Sequence, residues 1–413
     1  MVHLVPGVAR LGVMRCFLLE VLLFARTNQV SQATTIPVKI NQQAAPPIQQ
    51  LQPPSPMMRA AHCTNYGQNV DDILSVVADA PRPTFDPASK ESRGHALVRV
   101  QATALAPGDV RVMGGRTREI QGPPSTPYIP GGADLCGVVE AVADKEKYLK
   151  VGDRVVCQFD NNWGGLAEYA LVASGNCARD PPACLTSAEA AAIGSSGAAA
   201  VLISRRVEQG DRVLVIGGSG GVGSFLVQLA RTRGASFVAA VSTQTDLMKD
   251  LGVDRAIDYR QEDVWALEEF QTEEGRFDVV FDLVEKGWDR VTSAEGRARP
   301  ISKNGRQGGR FVTTVPPCGK SFDGHSIMQI AGVFILPSSA KGEHVWGPGG
   351  DPLQFPWAGA PTRAVTELFR PNPTCAPVLD GGALGFTTEE VRAAFKVQGS
   401  GHAHGKVVVQ IAD

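Results

Sequence analysis

A chain of 413 residues with 43% hydrophobic and 20% charged side chains is long enough to bury more than one core, and two domains or slightly more are expected. A formal charge of -2 supplies no global field for a polyanion, so nucleic-acid or membrane binding would need a local patch. The eight cysteines (Cys16, Cys63, Cys136, Cys157, Cys177, Cys184, Cys318 and Cys375) include no C-x-x-C pair; a chain of this size needs no staples, and reduced thiols are expected.

Residues 1–56 do not resemble the rest of the chain. LGVMRCFLLEVLLFARTNQ carries an apolar run that Glu20 interrupts and that is too short for a membrane span. Arg10, Arg15 and Arg26 beside a single acid suit an organelle transit peptide better than a secretory signal, the alternative being a misplaced gene start that targets nothing. IPVKINQQAAPPIQQLQPPSP, rich in Pro and Gln with almost no charge, cannot bury enough apolar surface to fold and reads as a linker. Folded protein is predicted from residue 57 or 58.

From Met58 to about Lys150 the apolar runs are short and alternating (HALVRVQATAL, LCGVVEAVA, DRVVCQFD, LAEYALVAS) and punctuated by Gly and Pro, which predicts a compact antiparallel barrel. At Leu185 the rhythm changes. LTSAEAAAIGSSGAAAVLISRR opens with a Thr/Ser cap and an early Glu and predicts an Ala-rich helix. Strand and helix then alternate through RVLVIGG, VGSFLVQLARTRG, SFVAAVS, DLMKDLG, RAIDY, FDVVFDLV and GGRFVTTV. Continuous apolar strands of this kind are buried on both faces of a parallel sheet. The Gly/Pro/Trp-rich stretch 341–361 has no legible structure. A helix TTEEVRAAFKVQ, with Thr387 and Glu390 placed for a capping box, precedes the strand GKVVVQIA, which is expected to rejoin the N-terminal barrel.

The most informative stretch is VLVIGGSGGVGSFLVQLARTRGA, residues 213 to 235. Gly218-x-Gly220-x-x-Gly223 follows a buried strand and opens a helix whose apolar face includes Phe225, Leu226 and Leu229. In that setting the first glycine is expected to make the turn, the second to let backbone approach a pyrophosphate, and the third to pack helix on strand. The amides at the helix start then face the phosphates, and the helix dipole adds attraction. The alternative is a tight βα turn without a ligand. At the end of the next strand an Asp or Glu would bind the adenosine ribose and repel a 2′-phosphate. The chain has Ser242-Thr243-Gln244 there, so NADPH is favoured over NADH, with Ser242, Thr243 and Lys249 as candidate phosphate ligands. Asp246 opposes this unless it is a surface helix cap.

Taken with YIPGGADLCGVVEAV, KVGDRVVCQF, GGLAEYALVAS, LTSAEAAAIGSSGAAA, LGVDRAIDY and the closing GSGHAHGKVVVQI, in this order along residues 58–413, the chain resembles the zinc-free medium-chain dehydrogenase/reductases. Within them it is similar to the quinone oxidoreductase-like group and to the mitochondrial reticulon-interacting-protein oxidoreductases. The resemblance implies an α/β architecture: a GroES-like β-barrel domain over 57–184 completed by 374–413, and a Rossmann doubly wound parallel-sheet domain over 185–373. It implies NADPH-dependent reduction of quinones or other conjugated carbonyls in a cleft between them, and a mitochondrial location, with plastid or cytoplasm as alternatives. By position it implies cofactor contacts from Ser219, Gly221 and Val222 at the diphosphate, from Ser242 and Tyr259 near the 2′-phosphate, and from His402, Ala403 and His404. Relatives commonly carry Arg where His404 stands, and Leu283 replaces a polar residue often found after LD. The segment GVFILP at a sheet edge implies pairing in a homodimer.

Zinc members of the superfamily need thiolate and imidazole ligands, but Gly132-Ala133-Asp134 replaces their Gly-His-Glu and the four-cysteine run is missing; no metal is expected, although Cys157 with Asp134, or His402 with His404, are formally ligand types. Asn-Pro-x-Asp of relatives reads Ala106-Pro107-Gly108-Asp109 here, leaving Asp109 and Tyr169 as candidate proton donors, each with a structural alternative: a turn cap and a packing ring. Arg297, Arg299, Lys303, Arg306 and Arg310 form a basic run without an acid, either an RNA-phosphate grip or a solvated insertion, and nucleic acid is not expected as a partner. An enzyme acting on a quinone or enone is therefore weighed against a catalytically weak NADPH-binding scaffold that works through a protein or RNA partner.

Overall fold

The computed structural model describes residues 56–115, 127–132, 134–158, 164–284, 301–303, 309–313, 334–337, 364–365, 368–369 and 375–412. The transit segment and linker expected over 1–56 (all but residue 56), the stretch 341–361, and Arg297, Arg299 and Arg306 of the basic run lie outside them.

Alternating patterns produce the first body. Strands β1 (Met57–Cys63) and β2 (Leu74–Pro81) form an antiparallel hairpin around the short helix α1 (Val70–Ile73). They are followed by β3 (His95–Ala104), α2 (Pro107–Met113), β4 (Asp134–Val142), β5 (Arg154–Cys157), β6 (Tyr169–Ala173) and β7 (Cys177–Arg179). Neighbours β3/β4, β4/β5, β5/β7 and β3/β6 are all antiparallel, and the Ala61 N–H donates to the Leu166 carbonyl at 2.8 Å, tying the hairpin on. Val98, Val100, Leu135, Val155 and Leu166 fill the interior.

The predicted Ala-rich helix is two helices, α3 (Ser187–Ala191) and α4 (Gly194–Ser204). Thr186 and Glu189 cap α3 reciprocally, as the sequence predicts: the Glu189 N–H donates to Thr186 Oγ1 and the Thr186 N–H to Glu189 Oε2. The break at Ala192–Ile193 aims the start of α4 at the Asp134 carboxylate, which accepts from Ser195 N at 2.8 Å. A continuous helix would not present that amide.

The second body is built from β8 (Arg212–Ile216), α5 (Gly221–Thr232), β9 (Phe237–Val241), α6 (Thr245–Asp250), β10 (Arg255–Ile257), β11 (Val279–Asp282), β12 (Arg310–Thr313) and β13 (Phe334–Pro337). The sheet order is β10-β9-β8-β11-β12-β13, the doubly wound arrangement with its switch point beside β8. Pairing is parallel up to β12, and β13 closes the edge antiparallel. Val213–Ile216 and Val279–Asp282 are buried throughout, as strands covered on both faces require. Phe225, Leu226 and Leu229 of α5 are buried against the sheet.

The chain then returns to the first body. β14 (Leu379–Leu384), α7 (Thr388–Ser400) and β15 (Lys406–Gln410) follow, and β15 lies antiparallel on β3, pairing Val408 with Ala104. Thr387 accepts from Glu390 N, but the Glu390 carboxylate turns to Gly385 N and the Thr387 hydroxyl. The expected capping box is thus half formed, because Gly385 offers the carboxylate a backbone donor.

Cys63, Cys136, Cys157, Cys177 and Cys375 are buried thiols outside any disulfide; Cys184 is disulfide-bonded, so the expectation of reduced thiols fails at that position. Burial pushes the Cys63 thiol up to about 12, a hydrogen bond with Tyr128 offsetting part of this, and Cys157 moves in the same direction for the same reason. Both are therefore neutral at pH 8 and poor nucleophiles. Native protein treated with iodoacetamide at pH 8 should keep both unalkylated by peptide mass spectrometry, and denaturation should expose them.

Candidate functional site

The glycine loop begins where β8 ends. Gly217, at φ +87°, makes the turn; Gly218, to which the sequence assigns it, instead packs where a Cβ would lie 2.8 Å from Ala240 Cβ and from Met248 Sδ. A side chain at Gly223 would strike the Gly217 carbonyl oxygen and the Gly218 backbone, so this position lets the start of α5 close on the loop that follows β8. Gly220 is different. Its φ and ψ of -71° and 173° suit any residue, and a Cβ there would meet only the Gly217 oxygen at 3.5 Å. The space over Gly220 is open. No side chain caps α5, so its first backbone N–H groups lack intrahelical partners.

The closing segment clasps this loop. Gly405 N donates to the Ser219 carbonyl at 2.6 Å, and Gly405 bridges to Gly220. Next to it the Lys406 ammonium is buried and donates to Asp134 Oδ2 at 2.9 Å; the same carboxylate accepts from Ser195 Oγ at 2.5 Å and Ser195 N at 2.8 Å. A Cβ on Gly221 would lie 2.9 Å from Lys406 Cδ and from Ser196 Oγ. Strand β4, helix α4, the glycine loop and β15 thus meet at one point. Lys406, Ser195, Ser196 and Gly405 are invisible as site residues in the sequence, because each acquires meaning only from partners far along the chain; Val222, in the first turn of α5, is half-buried.

At the end of β9 the Ser242 hydroxyl is buried and accepts from Gln244 N at 2.9 Å, while Thr243 is half-buried and Tyr259 exposed. Lys249 pairs with Asp246 at 3.1 Å, both largely in solvent, which makes Asp246 the surface group that the sequence leaves open and shares the Lys249 charge. His404 Nε2 lies 3.2 Å from the Gln244 side-chain nitrogen, and its backbone N–H donates to Asp380. His402 turns its Nδ1 to the Ser400 carbonyl at 2.7 Å and is exposed; Ala403 packs on the barrel core. Leu283 N donates to the Ile216 carbonyl at 3.1 Å, and Leu283 and Val284 stand beside Gly217.

Asp109 is fully buried at the third position of α2 and accepts from Ala106 N at 2.7 Å. Tyr169 lies under the Arg82 guanidinium at 3.7 Å. Each therefore has the structural role that the sequence offers as its alternative. The two formal metal-ligand types in the barrel point elsewhere: Asp134 to Lys406 and Ser195, and Cys157 to Cys177 at 3.0 Å between sulfurs. Among the described residues no group of three or more His, Cys, Asp or Glu side chains could hold a metal ion, and no helix is long and apolar enough to cross a membrane. Of the basic run, Lys303 pairs with Asp278 at 2.6 Å and Arg310 with Asp211 at 2.8 Å.

A six-stranded sheet with a glycine loop at its switch point, joined through β15 to a β-body that is antiparallel except for the parallel β14/β15 pair, defines a two-part nucleotide-fold protein. Residues 92–182 match the family of alcohol dehydrogenase GroES-like domains, and residues 221–292 match the zinc-binding dehydrogenase family. The chain belongs to the medium-chain dehydrogenase/reductase family. It is 34% identical over 272 residues to a 2-methylene-furan-3-one reductase of Solanum lycopersicum, spanning 62% of this chain and 66% of that one. It is 30% identical over 269 residues to a trans-enoyl reductase of Aspergillus terreus, spanning 62% and 73%. To the mitochondrial NAD(P)H oxidoreductase RTN4IP1 of Danio rerio it is 29% identical over 378 residues, spanning 84% and 90%. A solved structure described as a zinc-dependent alcohol dehydrogenase protein of Rhizobium etli shares the fold, with a TM-score of 0.64 at 24% identity over 86% of this chain and 99% of that one.

Proposed function

We propose that the chain is an NADPH-dependent oxidoreductase that transfers hydride to a quinone or other conjugated carbonyl, an enone or enal, without zinc. The observation that carries this reading is the uncapped start of α5, open over Gly220 and clasped through Ser219 by Gly405. Backbone amides at a helix start bind phosphate, and the space over Gly220, where an added Cβ would meet only the Gly217 oxygen, lets such a group approach them. Gly218, Ser219, Gly220, Gly221, Val222 and Gly223 surround the diphosphate in this proposal, and Ser242, Thr243, Lys249, Tyr259, His402, Ala403 and His404 belong to the adenosine end. The lack of a carboxylate at 242–244 supports NADPH over NADH. The names of the relatives, reductases of enone-type and enoyl substrates and an NAD(P)H oxidoreductase, support the chemistry.

The bound nicotinamide supplies the hydride. The chain's contribution is to hold the dinucleotide on the α5 amides and to keep Lys406 and Asp134 locked beneath the loop. Asp109 and Tyr169 stay as the proposed proton donors, and solvent is the alternative source of the later proton. The proposed division is a barrel domain of 57–184 completed by 374–413 and a Rossmann domain of 185–373, preceded by a targeting segment; the mitochondrial relative supports that organelle. Edge strand β13 is where a homodimer would pair. Ion pairing of Lys303 and Arg310 leaves little of the described basic run for RNA.

The test is NADPH and NADH oxidation by purified protein, side by side, over a panel of quinones, enones and enals. NADPH should be consumed faster with at least one acceptor. Tight NADPH binding without turnover of any acceptor would leave the scaffold reading in its place.

A further inference from the structure

Two thiols of the barrel interior lie against each other. Cys157, the last residue of β5, and Cys177, the first of β7, are register partners on adjacent antiparallel strands. Their sulfurs are 3.0 Å apart although the residues stand 20 positions apart in sequence. The ladder explains the approach. Gln158 N donates to the Asn176 carbonyl and Asp180 N to the Arg154 carbonyl, so by alternation 157/177 is a non-hydrogen-bonded pair, the kind whose side chains stand closest. Such a pair brings its Cα atoms within the span that a disulfide bridges. Cys157 and Cys177 are 1% and 0% exposed, and Cys177 Sγ donates to the Ala173 carbonyl at 3.4 Å. Cys136 is no rival partner, because it lies in the core covered by α3, whereas Cys157 and Cys177 lie in the barrel interior.

We infer that Cys157 and Cys177 are a dithiol/disulfide couple, closed by a small-molecule disulfide such as oxidised glutathione before the barrel is complete, and that the bond clamps β5 to β7. The couple acts on the barrel alone and needs no nucleotide. One cysteine loses its thiol proton and its sulfur attacks the glutathione disulfide, forming a mixed disulfide and releasing one glutathione thiolate, which takes up that proton. The second cysteine, deprotonated in turn, attacks the protein sulfur of the mixed disulfide. The bond between the two cysteines forms, and a second glutathione leaves with the second proton. Two electrons pass from the protein to glutathione. Burial sets the timing: neither sulfur is reachable in the finished fold, so exchange belongs to the open chain, and closure then shields the bond. The loop so closed carries Gly165, packed on the Gly132 backbone, and Leu166, whose carbonyl accepts from Ala61 N at 2.8 Å and holds the first hairpin. A clamp at its two ends restrains the unfolded chain over a stretch that folding must bring back together. Cys184, further along the chain, is itself disulfide-bonded.

Residues 155–179 form one tryptic peptide that holds both cysteines and no other, so peptide mass reads the bond directly. Full-length protein is reduced, unfolded in urea, refolded with either mixed oxidised and reduced glutathione or dithiothreitol alone, then denatured in iodoacetamide and digested. After the glutathione buffer, peptide 155–179 should be two hydrogens lighter than the dithiol and carry no label; after dithiothreitol it should carry two labels. The gain in melting temperature from reduced to oxidised protein should be at least about 3 °C larger in the parent than in Cys177→Ala, a variant that keeps Cys184. Should the chain not recover from urea, the same labelling is read on folded protein held with oxidised glutathione in urea below the unfolding midpoint, where the barrel opens transiently. Double labelling of the peptide after oxidation overturns the inference, and so does a cross-link from it to another cysteine. An oxidised parent that gains no more than Cys177→Ala overturns the clamp. The peptide assay uses the parent alone and decides even where the variant fails to fold.

Discussion

Gly220→Asp is expected to fold with a melting temperature no lower than the parent's and to lose NADPH affinity by at least about a hundredfold, or about 2.7 kcal/mol. Gly220 is the N-cap of α5 and has extended backbone angles, so an L-residue fits without strain. Its Cβ would meet nothing closer than the Gly217 oxygen at 3.5 Å. Aspartate is among the best N-cap residues, and its carboxylate at a helix start is stabilising. The same carboxylate would occupy the donors and the space proposed for the diphosphate and repel it. Differential scanning fluorimetry beside a calorimetric NADPH titration separates the two effects. A matching fall in both would show that the position supports the fold rather than a ligand. Gly223→Ala is the contrasting case, because its added methyl strikes backbone and lowers stability first.

The second large effect concerns Lys406 and Asp134, side chains that are 4% and 0% exposed and 2.9 Å apart. Removing one partner of a buried pair strands the other charge in the interior, at a cost of about 3–5 kcal/mol. Lys406→Met should reach the lower part of that range, since Ser195 still donates two hydrogen bonds to the carboxylate. Adding Asp134→Asn should restore stability to within about 1 kcal/mol of the parent, because a neutral amide keeps the Ser195 contacts without a buried charge. Urea unfolding of the two single variants and the double variant closes the cycle. If the double variant is as unstable as the sum of the singles, the two groups are not coupled.

The fold and half of the site can be read directly because their signals are local. The strand Val213–Ile216, the glycines after it and the buried positions of α5 lie within a single βα unit, and periodicity reports burial there. Misassigning the turn to Gly218 instead of Gly217 comes from the motif's spacing, which names the glycines but not which one takes a positive φ. The helix break before Gly194 has a local cue in Gly194-Ser195-Ser196-Gly197, a stretch that propensity disfavours inside a helix; what the new helix start is aimed at, Asp134, is distant in sequence. Lys406 reads as an ordinary strand residue until β15 is laid on β3. Those contacts are tertiary, and no composition window spans them.

Because β15 completes the sheet beside β3 and Gly405 buttons down the glycine loop, a nascent polypeptide emerging from the ribosome holds an unfinished product for most of its synthesis. Strand β3 waits with a bare flank, and the loop waits for a fastening made only after everything between has been translated. Such a delay lengthens the interval in which chaperones must shield the emerging segments.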